Sequence, residues 1–338
     1  MSADRVEPVR WGILPVSGIA LRSFMPAVLR STHARAVAVA SRDPAKAAGF
    51  AATHGLARSY GGYDALLADK EVEAVYLSLP NAGHVEWAIR ALEAGKHVLC
   101  EKPMDSDPHS VARAFDAADR AGRLLMEALM YRHHPDTTRL QACIEGGELG
   151  EIHTICAALS FTMPGTQNIR LSPQLDGGAL MDVGCYAISG LRLLAGEPEC
   201  VSGVAHTGPT GVDLRFTGFM KHRTGATTNF DCGLDLPSRS SIELTGTKGT
   251  LRALWPFFRP FFPHVDPPMI EIRVGLESRQ LPLTDANPYV AQIDNFSRAI
   301  RGLDRPRIGR DDAIAQACVI AALRRSAADQ SAWAMTGL

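Results

Sequence analysis

Short apolar runs separated by amphipathic segments set the rhythm of the first third of this chain. Val9 to Leu14 is the first run, and a helix opens after it at Gly18-Ile19-Ala20. Ala34 to Ala40 reads as a second strand, and Pro44 to His54 as a helix with proline in its first turn. Glu73 to Leu79 is another β-rich run, followed by a helix over Gly83 to Ala94 that Gly95 closes. Val98 to Cys100 and Leu124 to Met126 are further strands, with an amphipathic segment from Pro108 to Ala121 between them. Strands alternating with helices of this length predict a parallel sheet covered on both faces.

The second half changes pattern. Glu151 to Phe161 alternates loosely and predicts a long strand, and a loop through Pro164, Gln167, Asn168, Ile169 and Arg170 ends at Gly177-Gly178. Gly178 to Leu194 has helical periodicity. From Cys200 to Val274, runs such as Leu214 to Phe219 and Ser241 to Leu244 read as antiparallel strands, and Thr245 to Thr250 as a hairpin turn. Trp255 to Pro263 is aromatic and broken by proline, which suits an interface patch, a lid or a kinked piece of core. Helices over Tyr289 to Arg301 and Asp311 to Ala327 follow. The expected division is a first domain over 1–128 and a second over 129–338.

Composition narrows the function classes. The 338 residues are 46% hydrophobic and 21% charged, enough for two packed cores. A net charge of -1 with no long basic run argues against a nucleic-acid or membrane partner held by charge. Seven cysteines without a C-x-x-C pair favour reduced thiols, and with no apolar leader this predicts a cytoplasmic protein.

The chemistry gathers at strand ends. Glu101-Lys102-Pro103 closes an apolar run, and proline there ends the strand, so Lys102 should sit at a carboxyl edge where parallel sheets bind ligands. A lysine so placed can hold a substrate oxygen or help move a proton, or be simply a solvated turn residue. The first strand–helix turn is where a dinucleotide site has its glycine fingerprint, yet Pro15, Ser17 and Ala20 occupy the three positions, flanked by Leu14, Gly18 and Ile19. The N–H groups opening the next helix can still bind phosphate. Ser41-Arg42 ends the second strand, and a hydroxyl followed by arginine suits a 2′-phosphate, favouring NADP with NAD as the alternative. Leu79-Pro80-Asn81 and His84 either line the same groove or cap a helix.

Taken together, these motifs resemble the glucose–fructose oxidoreductase / inositol dehydrogenase (Gfo/Idh/MocA) family of NAD(P)-dependent sugar oxidoreductases. The resemblance rests on Trp11 to Leu14, Leu79-Pro80-Asn81 with His84, Glu101-Lys102-Pro103, Met126 to Pro135, and Gly177 to Tyr186. The wording of the last two is similar to the branch of D-xylose (aldose) dehydrogenases, dihydrodiol dehydrogenases and deoxysugar 3-ketoreductases. It implies an α/β protein, a Rossmann doubly wound parallel sheet followed by an α/β domain with an open, mostly antiparallel sheet. That sheet often forms the interface of a homo-oligomer, here a dimer or tetramer. It also implies that Lys102 is an active-site residue and that Tyr186, where much of the family has histidine, resembles the proton-transferring group.

Asp182 and Tyr186 are four apart on one helix and would share a face, or be merely a capping and a half-buried residue. With Lys102 they form the expected catalytic set for hydride transfer to or from a sugar or sugar-nucleotide. Tyr186 or Lys102 carries the proton, and Asp182 orients the substrate or Lys102. Glu101 joins the cofactor set. Tyr131, Arg132, His133 and Arg170 are candidate sugar contacts, and Tyr131 to His134 could equally hold the crossover between domains. Adjacent His133 and His134 point apart, so no metal is expected. The competing reading, suggested by Pro15 and Ser17, is a sugar-binding or regulatory protein that has lost its cofactor.

Overall fold

The computed structural model describes residues 6–163, 165, 168–257 and 269–338. The chain divides by its internal contacts into two compact units. One comprises Met1–Asp105, His109–His133 and Asn287–Ala313, and the other Ser106–Pro108, His134–Ala286 and Ile314–Leu338. The segment Asn287–Ala313, which the sequence leaves in the second domain, therefore belongs with the first unit.

In the first unit six strands, β1 (Val9–Leu14), β2 (Ala34–Ala40), β3 (Arg58–Tyr60), β4 (Ala74–Leu77), β5 (His97–Glu101) and β6 (Leu125–Ala128), form one sheet in the order β3-β2-β1-β4-β5-β6. Every pairing is parallel. Strands buried on both faces must be apolar throughout, and β4 and β6 are buried along their whole length. Edge strand β3, only Arg58-Ser59-Tyr60, has no apolar run and leaves no mark in the sequence pattern. Its neighbours are helices α1 (Met25–Arg30), α2 (Pro44–His54), α3 (Tyr63–Leu67), α4 (His84–Glu93) and α5 (Pro108–Ala121).

Helix α8 (Pro288–Ile300) joins this unit through an aromatic cluster. Trp11 lies 5.5 Å from Phe24 and 5.9 Å from Phe296 by ring centroid, and its indole N–H donates to Ser297 Oγ at 3.2 Å. Truncating a ring of this kind costs about 3–5 kcal/mol. Arg301, just past α8, forks onto Glu73 at 2.9 and 3.0 Å.

In the second unit nine strands among the described residues form one sheet. They are β7 (Ile152–Thr162), β8 (Pro198–Thr207), β9 (Asp213–His222), β10 (Thr227–Gly233), β11 (Asp235–Gly246), β12 (Gly249–Leu254), β13 (Met269–Val274), β14 (Glu277–Gln280) and β15 (Ala334–Met335). Their order is β14-β13-β12-β11-β7-β10-β9-β8-β15, antiparallel except where β10 meets β7. On β9 the residues Phe216, Gly218, Met220 and His222 are buried while Arg215, Thr217, Phe219 and Lys221 are exposed. That alternation means one covered face and one solvated face. The β11–β12 hairpin falls where the Thr245 to Thr250 turn predicts it.

Helices α6 (Pro135–Glu145) and α7 (Cys185–Ala195) lie in this unit, and α9 (Arg310–Asp329) is the last helix. Pro173–Ala195 is the one helical stretch among the described residues long and apolar enough to cross a membrane, and it is largely buried inside the protein. Of the aromatic segment, Trp255 and Phe257 are core residues, and Phe258 to Pro263 lie outside the described residues.

Candidate active site

The carboxyl ends of β1 and β4 are neighbours at the point where the strand order reverses, the place where an open parallel sheet receives its ligand. Leu14 is buried there, and Pro15 and Ser17 follow it half-buried. Where the usual fingerprint has glycine, Ser17 uses its hydroxyl as a clasp. Its Oγ accepts the Ala20 N–H at 3.1 Å and shares a 2.8 Å hydrogen bond with Ser78 Oγ, while Ser78 N–H donates to Leu14 O at 2.8 Å. The helix begins at Gly18, runs through a π-helical turn over Ala20–Phe24 and continues as α1.

First-turn N–H groups have no acceptor within their own helix, so those of Gly18 and Ile19 present a partial positive charge. The cap beside them is a neutral hydroxyl. The Arg22 guanidinium lies over Gly18, 3.0 Å from where a Cβ would stand. Ser78 escapes the sequence reading because a lone serine after an apolar run carries no periodic signal.

The β2 end is built with the same economy. Ser41 N–H donates to Tyr60 O at 3.0 Å, and its Oγ accepts the Asp43 N–H at 3.1 Å. Asp43 caps α2 by accepting from Ala45 and Lys46. Arg42 stands exposed between these two fixed residues and, among the described residues, makes no hydrogen bond or ion pair. Asp43, and not Arg42, caps the turn.

Leu79-Pro80 leads into a 3-10 turn over Asn81–Gly83 and then α4. His84 is buried, with Nδ1 2.8 Å from Pro103 O and Nε2 2.8 Å from Leu79 O. It therefore ties the Glu101-Lys102-Pro103 loop to the end of β4. Glu101, also buried, accepts from Tyr76 Oη at 2.5 Å and from the Lys102 N–H at 3.2 Å. Tyr76 in turn stacks on Phe24 at 4.0 Å. Lys102 thus emerges half-buried from a strand end whose backbone is fixed on both sides.

The Tyr131 to His134 segment is anchored by its neighbours. Tyr131 and His133 are buried, and burial followed by the nearby Arg307 and Arg132 charges pulls His133 down to about 3, so its ring is neutral. Arg132 pairs with Asp312 at 2.9 Å, and Arg307 donates to Arg132 O at 2.9 Å. His134 Nδ1 accepts the Asp136 N–H at 3.1 Å as the cap of α6, while Nε2 faces Ala286 O at 3.1 Å.

The helix of the second unit that bears Asp182 and Tyr186 opens with a π-helical turn over Leu180–Gly184 before continuing as α7. The paired glycines ahead of it are forced. A Cβ on Gly177 would lie 2.4 Å from Arg170 O, and Gly178, at φ 114°, would place one 2.1 Å from Asp213 Oδ1. Gly178 N–H donates to Arg170 O at 2.9 Å, and Arg170 Nε reaches Asp182 Oδ2 at 2.6 Å. Arg170 and Asp182, expected as separate substrate contacts, are thus one ion pair. Tyr186 is buried in the next turn, its ring 6.3 Å from that of Phe257.

The neutral cap, the open helix N-terminus and the unengaged Arg42 fit a dinucleotide with a 2′-phosphate, the mark of a nicotinamide-nucleotide oxidoreductase domain in a chain that also carries a second α/β unit. The chain belongs to the GFO/IDH/MocA family. Residues 9–129 match the oxidoreductase family's NAD-binding Rossmann fold, and residues 137–252 match the GFO/IDH/MocA C-terminal domain.

It is 38% identical over 322 residues, 94% of this chain and 97% of the relative, to D-xylose 1-dehydrogenase (NADP(+)) 2 of Haloferax volcanii. It is 35% identical, across 96% of this chain and 97% of the relative, to dTDP-3,4-didehydro-2,6-dideoxy-alpha-D-glucose 3-reductase of Streptomyces violaceoruber. Among solved structures it resembles a 3-ketoreductase from Actinomadura kijaniata in complex with NADP and TDP-benzene. That likeness has a TM-score of 0.88 at 31% identity, over 94% of this chain and 98% of that one. The protein is an NADP-dependent oxidoreductase acting on CH-OH or C=O groups, which answers the alternative of a cofactor-free binding protein.

Proposed function

We propose that this enzyme oxidises a free aldose at C1 with NADP. The observation that carries the reading is its 38% identity, across 94% of the chain, to a D-xylose 1-dehydrogenase, in a sequence that keeps Lys102, Asp182 and Tyr186. In the first unit the Gly18 and Ile19 N–H groups would hold the cofactor's pyrophosphate, and Ser41 with Arg42 its 2′-phosphate. NADP accepts the hydride when bound.

The chain's own groups handle the rest. Tyr186, as a phenolate that the Lys102 ammonium favours by charge, takes the proton of the C1 hydroxyl as the C1–H bond gives up its hydride, leaving the C1 carbonyl of a lactone. Lys102 stabilises negative charge on that oxygen. Asp182, held by Arg170, orients a sugar hydroxyl. Lysine and tyrosine variants of the Actinomadura kijaniata ketoreductase have been solved, and these are the residue types assigned here. We further propose a homo-oligomer formed through the nine-stranded sheet.

The test follows nicotinamide absorbance on mixing the protein and NADP with D-xylose and other aldoses, and NADPH with a dTDP-linked 3-keto-deoxysugar. Reduction of NADP by an aldose supports the reading. Turnover of the keto-sugar alone overturns it in favour of a ketoreductase.

A further inference from the structure

The helix that presents Asp182 and Tyr186 is held at its opening by a residue from a different element, Asp213 at the start of β9. Asp213 Oδ2 accepts the Leu180 N–H at 2.7 Å, and the Ala179 N–H lies close enough to favour the same carboxylate. Gly178, the last residue before those N–H groups, lies so close to Oδ1 that no other residue fits. One turn later the Asp182 N–H returns to Gly178 O at 3.0 Å, so the carboxylate fixes the turn from which Asp182 projects.

We propose that Asp213 is a positioning residue for the reaction, acting through this helix opening to fix where Asp182 and Tyr186 stand. The inference rests on the reading of those two residues as reacting groups.

The energetics separate it from a purely structural cap. Burial pushes the Asp213 carboxyl up to about 6, even though the Leu180 and Ala179 N–H groups and the Arg324 charge favour its ionised form. The groups around it are accounted for. Arg324 is shared with Asp176 at 2.8 Å and Ser106 at 2.7 Å, and Asp182 is paired with Arg170. Buried Cys232 and Cys185 are thiols, with Cys232 raised well above the ordinary thiol value. A carboxyl with a higher value folded than unfolded binds its proton more tightly in the folded protein. Its ionised form therefore costs stability, increasingly as pH rises from the ordinary carboxylate range through about 6.

Asp213→Asn keeps the shape, removes the charge and leaves an amide NH2 facing N–H donors. The expected result is a kcat lower by roughly tenfold to a hundredfold, the scale of an ångström-sized displacement of a reacting group. NADPH affinity and the neutral-pH melting temperature should be retained. The acid limb of the kcat profile near pH 6 should disappear. Amide hydrogen exchange at Ala179 and Leu180, which needs no substrate, should quicken.

Wild-type exchange at those amides, or a wild-type kcat and pH profile, overturns the proposal. Loss of kcat and melting temperature together with an unchanged pH profile overturns it too, as a structural role. Asp213→Ala is the harsher variant, and should it not fold, the Asn variant decides. Tyr186→Phe is run alongside. Full activity there sinks the acid–base reading, whereas an inactive Phe variant beside a wild-type-like Asn variant sinks only the positioning role.

Discussion

Two helices begin alike in this protein and are finished differently. Both open with a π-helical turn, Ala20–Phe24 in the first unit and Leu180–Gly184 in the second. The first is capped by the neutral hydroxyl of Ser17 and the second by the carboxylate of Asp213. A helix N-terminus attracts negative charge. The second helix has its anion built in, while the first leaves its charge to a ligand, as a dinucleotide site must. The glycines follow the same logic. They are dispensable at 15 and 17, where a hydroxyl clasp shapes the turn, and obligatory at 177 and 178, where Arg170 O and Asp213 fill the space a side chain would need.

The sharpest way to break this comparison is to remove the reacting group from the second helix. Tyr186→Phe should lower kcat by about a hundredfold to ten-thousandfold, the usual worth of a positioned acid or base, with NADPH binding intact. Lys102→Ala should lower it by a similar factor. Next comes the ligand's 2′-phosphate at the end of β2. Arg42→Ala should weaken NADPH by roughly tenfold to a hundredfold, the worth of a charge-assisted phosphate contact, and leave NADH unchanged in parallel titrations. Equal loss for both nucleotides would contradict the 2′-phosphate assignment.

Gly178→Ala should cost about 1–3 kcal/mol from backbone strain alone, before its clash with Asp213, and a thermal melt would show it as a drop of several degrees. The smallest effect belongs to Ser17→Gly. It restores the usual glycine but removes one capping bond and the Ser78 contact, so melting temperature should fall slightly and NADPH affinity change little.

Acid should act in opposite directions on two buried groups, His133 and Asp213. His133 is held neutral, far below its ordinary value of about 6.5, so the stability that depends on it is present at neutral pH and is lost as pH falls below that value. Asp213 behaves the other way, since its protonation below about 6 relieves a cost. Hydrogen exchange at pH 7 and pH 5 should therefore show the core around His133 losing more protection than the Leu180 amide that Asp213 caps. His133→Phe should flatten the difference.

How much of this could be read from the chain depends on range. The parallel sheet, the hairpin at Thr245 to Thr250 and the helix opening at Gly18 are written in local periodicity and turn chemistry, and the structure has them. So is the Ser41-Arg42 strand end, where the local hydrogen bonds leave Arg42 to solvent. The clasp between Ser17 and Ser78 and the cap of Leu180 by Asp213 are not local. Each joins residues far apart in sequence, and neither serine nor aspartate at a strand end signals its distant partner. His84 shows the same limit. Its place in the motif was visible, but its bonds to Leu79 O and Pro103 O, which make it a tie between loops, depend on the sheet. The helix over Tyr289 to Arg301 is legible in the sequence, but its place in the first unit is not, because Trp11 and Phe296 meet only after folding.

The most direct test of the account compares wild-type protein with Tyr186→Phe, each mixed with NADP and D-xylose while nicotinamide absorbance is followed, and each titrated with NADPH. The account predicts that both bind NADPH and only the wild type reduces NADP. Equal rates from the two proteins would contradict it, because the proton would then be moved by a group other than the one the second helix carries.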